Sequence, residues 1–195
     1  MIRLTRRAAL GSLLPCAALA QADTRPIRLI VTVAPGGAVD LTARLLAQHM
    51  TGVLQRTILV ENRPGANGIL AADLVAKSVP DGTTLLVAPR EVFGVNPVLH
   101  APLPYDPERA FAPIGIATTG YYVLVANPSL GVTTLAELVA LARRRELAYG
   151  STGIGSMPHL NVEAFARDAG IRLLHVPYRG TGPAATATVA PAMSG

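Results

Sequence analysis

The chain has 195 residues, half of them hydrophobic and none Trp, with 17 basic against 12 acidic side chains and a formal net charge of +5. Arg3, Arg6 and Arg7 lie in the first twenty residues, which hold no acid; without those three the balance falls from +5 to +2, too little for a nucleic-acid surface. The single cysteine, Cys16, excludes an intramolecular disulfide and a cysteine-built metal site, and the length suits one domain or two small ones.

Residues 1–20 read as an export signal: a basic start, an apolar run Ala8–Leu14, and small residues at Ala18 and Ala20 before Gln21. The run is too short to span a bilayer. Arg6-Arg7 fits either a twin-arginine or an ordinary secretory signal, and Pro15 directly before Cys16 fits a lipoprotein cleavage site poorly. Ile27–Val33 is an apolar strand buried on both faces, followed by a Pro-Gly-Gly turn and an amphipathic helix with Leu41, Leu45 and Leu46 on one face. Thr57–Glu61 is a second strand, Ile69–Ser78 a helix stopped by Pro80-Asp81-Gly82, and Thr83–Ala88 a third strand. Repeated βαβ units of this kind give a parallel sheet whose ligand edge lies at the strand C-termini.

From Pro89 to Phe111 the pattern lapses into a Pro-rich loop, where a change of domain is expected. A second series follows. Tyr122–Ala126 is a strand, and Thr134–Arg144 a helix opened by a Thr134/Glu137 capping box with Arg143, Arg144 and Arg145 at its last turn. Leu147–Tyr149 is a strand, Gly150–Ser156 a glycine-rich loop, Pro158–Ala169 a helix and Leu173–Val176 a strand. Residues 181–195, rich in Ala, Thr, Pro and Gly, lack an amphipathic period and read as a low-complexity tail.

Four stretches are candidate binding sites. Pro35-Gly36-Gly37-Ala38 with Asp40 combines a glycine turn and a helix N-terminus, a general anion receptor; the alternative is a structural turn in which Asp40 complements the helix dipole. Ser151, Thr152, Gly153, Gly155 and Ser156 offer hydroxyls and amides at another helix N-terminus, with His159 either a ligand contact or a packed helix residue. This loop is neither a Walker A motif, which needs Lys where Ser156 stands, nor a dinucleotide fingerprint, which needs Gly where Pro158 stands. It also lacks a G-x-S-x-G elbow. Arg90 suits a bidentate carboxylate contact but equally a pairing with Glu91 or solvent. Arg179, in Tyr178-Arg179-Gly180, follows a strand and either faces the cleft or caps structure. No metal site, cofactor or nucleophile–base constellation is evident.

The wording of these stretches is more specific than their physics. PIRLIVTVAPGGAVDLTARLLA, VENRPGANG at Val60–Gly68, AKSVPDGTTLLVA at Ala76–Ala88 and LPYDPERAFAPI at Leu103–Ile114 occur in that order. They are followed by VLVANPSLGVTTLAELVALA at Val123–Ala142, YGSTGIGSMPHL at Tyr149–Leu160 and HVPYRGTGPA at His175–Ala184. This series resembles the Bug family, the periplasmic solute receptors of tripartite tricarboxylate transporters, over most of the chain after the signal.

The resemblance implies an α/β, periplasmic binding protein-like (type II) fold. Its two lobes (here 21–110 and 111–180) close on a small organic acid and present it to the transporter's membrane subunits. It implies no chemistry, cofactor, metal or nucleic acid. It favours the binding reading of the Pro35–Ala38 loop and makes the charged pair Arg90-Glu91 and Phe93 a departure, because family members usually carry small, hydroxyl-bearing or His residues there. Members are much longer, so a second expectation is a truncated, non-functional remnant with weak stability and binding. A third is a small α/β enzyme using His159 or His175 as base on a carboxylated or phosphorylated substrate.

Overall fold

A computed structural model of the protein describes residues 24–190. The export signal, Cys16 and the last residues of the tail lie outside the described residues.

The apolar run after Pro26 forms β1, Ile27–Val31, with α1 at Ala38–Leu54, β2 at Ile58–Asn62, α2 at Ile69–Ala76 and β3 at Thr84–Val87. The three strands make one parallel sheet in the order β2-β1-β3, with Leu29 opposite both Val60 and Leu85. The central strand is covered on both faces, and Leu29, Ile30 and Val31 are all at most 2% exposed, which is why β1 reads as an unbroken apolar run rather than an alternation. Arg28 clamps Glu61 across the β1–β2 pair through Nε at 2.6 Å and Nη2 at 2.9 Å.

The Pro-rich stretch after β3 is more ordered than its composition suggests. It contains two short helices, α3 at Glu91–Gly94 and α4 at Asn96–Leu99, the second with Pro97 in its first turn, where a missing N–H costs nothing. Tyr105 folds back, its hydroxyl donating to the carbonyl of Val92 at 3.0 Å, and packs with Ala72 and Val92 in a core that also receives Phe111.

The second unit places α5 at Leu135–Ala142, β4 at Leu147–Ser151, α6 at Met157–Ala169, β5 at Leu173–Pro177 and α7 at Thr181–Val189. Strands β4 and β5 pair in parallel, with Tyr149 opposite His175. Helix α5 opens on the expected capping box: Thr134 accepts from the Glu137 amide and the Glu137 carboxylate accepts from the Thr134 amide. Its three arginines lie beyond the last helical residue, and Arg143 donates to the Ala169 carbonyl at 3.0 Å, tying the end of α6 to α5.

Two expectations are corrected. Tyr122–Ala126 is not a strand: no backbone–backbone hydrogen bond among the described residues reaches 112–126, and Val123 is 78% exposed. A strand needs a neighbour for its N–H and C=O groups, and none of the described residues supplies one. The tail is not featureless, because residues 181–189 form α7. Alanines favour the helix, Pro183 sits in its first turn, and Asn127 Nδ2 caps its end by donating to the Thr188 carbonyl at 2.9 Å.

Candidate functional site

The loop after β1 is organised by a buried carboxylate. Asp40, 3% exposed in the first turn of α1, accepts from the Gly36 amide at 2.9 Å and from Arg44 Nε at 3.0 Å on one oxygen. Its other oxygen accepts from Asn62 Nδ2 at 2.8 Å. The Arg44 hydrogen bond, with those from Gly36 and Asn62, holds the Asp40 carboxyl down at about 2 against the opposing effect of burial. The same Asn62 nitrogen donates to the Val33 carbonyl at 3.0 Å, so β2 also fixes the loop from below. Asp40 therefore spends its oxygens on its own chain and shapes the turn. The Gly37 amide and the first-turn amides of Ala38 and Val39, at the helix N-terminus, donate to no backbone group outside the helix among the described residues. Gly36 sits at φ +90°, a conformation that favours glycine.

The loop after β4 is clasped from within. Ser151, 1% exposed, accepts from the Gly153 amide at 3.1 Å and shares a 2.6 Å hydrogen bond with His175 Nε2. Ser156, also 1% exposed, donates to the Gly153 carbonyl at 2.7 Å and caps α6 at the His159 amide. Nδ1 of His159 accepts from the Gly155 amide at 3.3 Å. Amides of this loop at Thr152 and Ile154 donate to no backbone group among the described residues.

Beneath it lies a ring cluster in which His159 and His175 have centroids 4.3 Å apart and Tyr149 stacks on His175 at 5.0 Å. The Tyr149 hydroxyl donates to the Glu163 carboxylate, and burial followed by that hydrogen bond raises its phenol pKa. Desolvation and the neighbouring His159 lower that of His175, so its ring is neutral near pH 7. A serine–histidine contact was not legible in the sequence, where neither histidine has an identifiable partner. The register Ser151 opposite Pro177, with His175 two residues back, creates it. Ser151 is enclosed and already holds Gly153, so the pair fastens the loop and presents no accessible nucleophile.

Segments of the two units approach each other at three places. A methyl group built on Gly180, next to Arg179, would stand 3.9 Å from the Ala34 side chain. One built on Gly155 would stand 3.0 Å from Leu99 and 3.4 Å from Asn67. Arg90 does not pair with Glu91; its Nη2 reaches Met157 Sδ at 3.7 Å, at the first turn of α6. An apolar cavity of about 400 Å³ lies elsewhere, between Tyr122–Asn127 and α5, β4 and α6. Neither Pro35–Asp40 nor Ser151–Ser156 lines it, and walls of Val125, Leu138, Val162 and Phe165 do not suit an anion. Among the described residues no group of three or more His, Cys, Asp or Glu could hold a metal ion, and no helix is long and apolar enough to cross a membrane.

Two α/β units, each a parallel sheet with a glycine loop at the C-terminal end of a strand, are the architecture in hand. Comparison with known proteins makes this specific. Residues 42–193 match the tripartite tricarboxylate transporter family receptor model, and the chain belongs to that family. It is 41% identical over 184 residues to a UPF0065 protein of Bordetella pertussis, a match covering 91% of this chain and 56% of that one. It superimposes on a periplasmic transporter with TM-score 0.77 and 35% identity, and on Rpa4515 of R. palustris with adipate at TM-score 0.76 and 31% identity. Each structural match covers 85% of this chain and 56% of the other. The chain thus spans about half the length of the relatives it matches. The family is one of binding proteins, not enzymes.

Proposed function

We propose that this chain captures a small organic acid in the periplasm for a tripartite tricarboxylate-type transporter. The observation that carries the reading is that segments beyond the strand C-termini of the two units approach each other: Gly180, next to Arg179, lies beside Ala34, Gly155 beside Leu99 and Asn67, and Arg90 Nη2 reaches Met157 Sδ. In this reading the amides of Gly37, Ala38, Thr152 and Ile154 receive carboxylate oxygens, and the Thr152 hydroxyl and Arg90 add donors at the rim. Asp40, Ser151 and Ser156 hold the two loops in shape, while His159 holds the Gly155 amide. Closure of the units about the Pro-rich connection is the switch that the membrane subunits read. The adipate seen with the R. palustris relative supports the ligand class.

Titration calorimetry with adipate, succinate, citrate, aspartate and glutamate tests the proposal. Saturable binding of one acid that weakens in Gly37→Pro, which removes a loop amide, is the expected result. Absence of binding to every acid overturns it. The second reading, a remnant that does not bind, is favoured by one observation: Ile114, Ile116 and Tyr121 in the unpaired segment are 83%, 85% and 100% exposed.

A further inference from the structure

We propose that Glu91 is a ligand-binding carboxylate that receives the ammonium of an amino acid, so that the acid captured carries a positive as well as a negative group. This rests on the receptor reading above and narrows its substrate class. Glu91 is 5% exposed, and its Oε2 is buried without a hydrogen-bond partner among the described residues. Its neighbour Arg90 turns to Met157 instead. A buried, unpaired carboxylate is costly, and folded chains rarely retain one that does nothing.

Its place in the topology is at the sheet edge from which the first candidate loop leaves. Glu91 opens α3 at the end of the loop that leaves β3, which pairs with β1, the strand that leads into the Pro35–Ala38 loop. A second buried polar group lies at the same edge: Thr32, 4% exposed, just beyond the end of β1, whose hydroxyl also has no partner among the described residues. A methyl group built on Gly68 would meet Val92 at 2.8 Å and Thr32 at 3.1 Å, so Thr32 and the start of α3 flank the same glycine. The Glu91 charge also reaches Tyr122, contributing with burial to the upward shift of that phenol.

The glycine loops and Arg90 supply donors for an anion, whereas a carboxylate at Glu91 supplies acceptors. A plain dicarboxylate would meet like charge there. An α-amino acid would set its carboxylate on the amides and its ammonium on Glu91, forming a charge-assisted hydrogen bond.

The test uses the full mature chain and two acid pairs that differ only in the α-ammonium, aspartate against succinate and glutamate against glutarate, measured by calorimetry at neutral pH. The expected result is that one amino acid binds at least about tenfold more tightly than its partner, and that Glu91→Gln reduces the ratio to about twofold or less. Glu91→Asp, which keeps the charge, should retain part of the preference. The melting temperature of the ligand-free Glu91→Gln chain should rise, because an uncompensated charge is removed; a carboxylate with a purely structural role would give a fall.

Succinate or glutarate binding as tightly as the amino acids, or a ratio unmoved by Glu91→Gln, overturns this proposal and leaves the receptor reading intact. Binding of none of the four acids, nor of adipate or citrate, overturns both.

Discussion

The Gly36 amide donates to the carboxylate of Asp40 at 2.9 Å, one turn further along the chain. That contact converts a Pro-Gly-Gly sequence into a fixed loop, and it ties the shape of that loop to the protonation state of one buried group.

Because the Asp40 carboxyl is lowered from 3.8 to about 2, its contribution to folding is complete above its unfolded value and is lost as pH falls through about 2. The shift corresponds to about 2 kcal/mol. Asp40→Ala should therefore cost about 2–3 kcal/mol at neutral pH, since the Gly36 and Asn62 donors lose a buried acceptor. It should also flatten the stability profile below about pH 4. Urea unfolding across pH checks both expectations.

Gly153 and Gly155 both adopt positive φ, at +128° and +81°, but only Gly155 has a neighbour where a side chain would go. Alanine at either position should cost about 1–2 kcal/mol from backbone strain. Gly155→Ala should additionally push Leu99 and Asn67 away and weaken acid binding beyond the Gly153→Ala effect. Gly182→Ala, in the first turn of α7 with open space around it, serves as a control and should be neutral or stabilising by about 0.5 kcal/mol. Paired melting and calorimetry on the three variants separates strain from the loss of contact between units.

Ser151 and His175 are close enough to invite comparison with a hydrolytic pair, at 2.6 Å. If they only fasten the loop, Ser151→Ala should cost about 1 kcal/mol. The wild-type chain should then hydrolyse neither nitrophenyl acetate nor nitrophenyl phosphate. Turnover that disappears in Ser151→Ala would contradict this assignment.

The segment 112–126 exposes Ile114, Ile116, Val123 and Val125 without backbone partners among the described residues. The chain should bind a hydrophobic dye in its native state and melt with low cooperativity. Ile114→Ser with Ile116→Ser should reduce dye binding and aggregation while moving the melting temperature little, because neither side chain packs against the core. A sharp melt raised by a dicarboxylate would show instead that the segment is accommodated.

Much of the fold is legible in the sequence because the signals are local. The apolar run of β1, the Thr134/Glu137 capping box, the Ser156 cap and the Gly170 end of α6 each depend on residues within a turn or two. The misreadings have the opposite character. Tyr122–Ala126 carries the composition of a strand but lacks a partner, and α7 forms from an Ala-rich run because Asn127, sixty-one residues earlier, caps it.

The sequence by itself determined the β1-to-β3 and α5-to-β5 series and the glycine turns, since periodicity, capping and φ preference act over a few residues. Only the tertiary structure decided that Asp40 faces inward to Gly36, Arg44 and Asn62, that His175 finds Ser151, and that Glu91 is buried with its Oε2 lacking a hydrogen-bond partner among the described residues. Those outcomes depend on strand register and on which loops share a sheet edge. The free energy of a charge depends on partners brought from distant positions, and no local pattern records them.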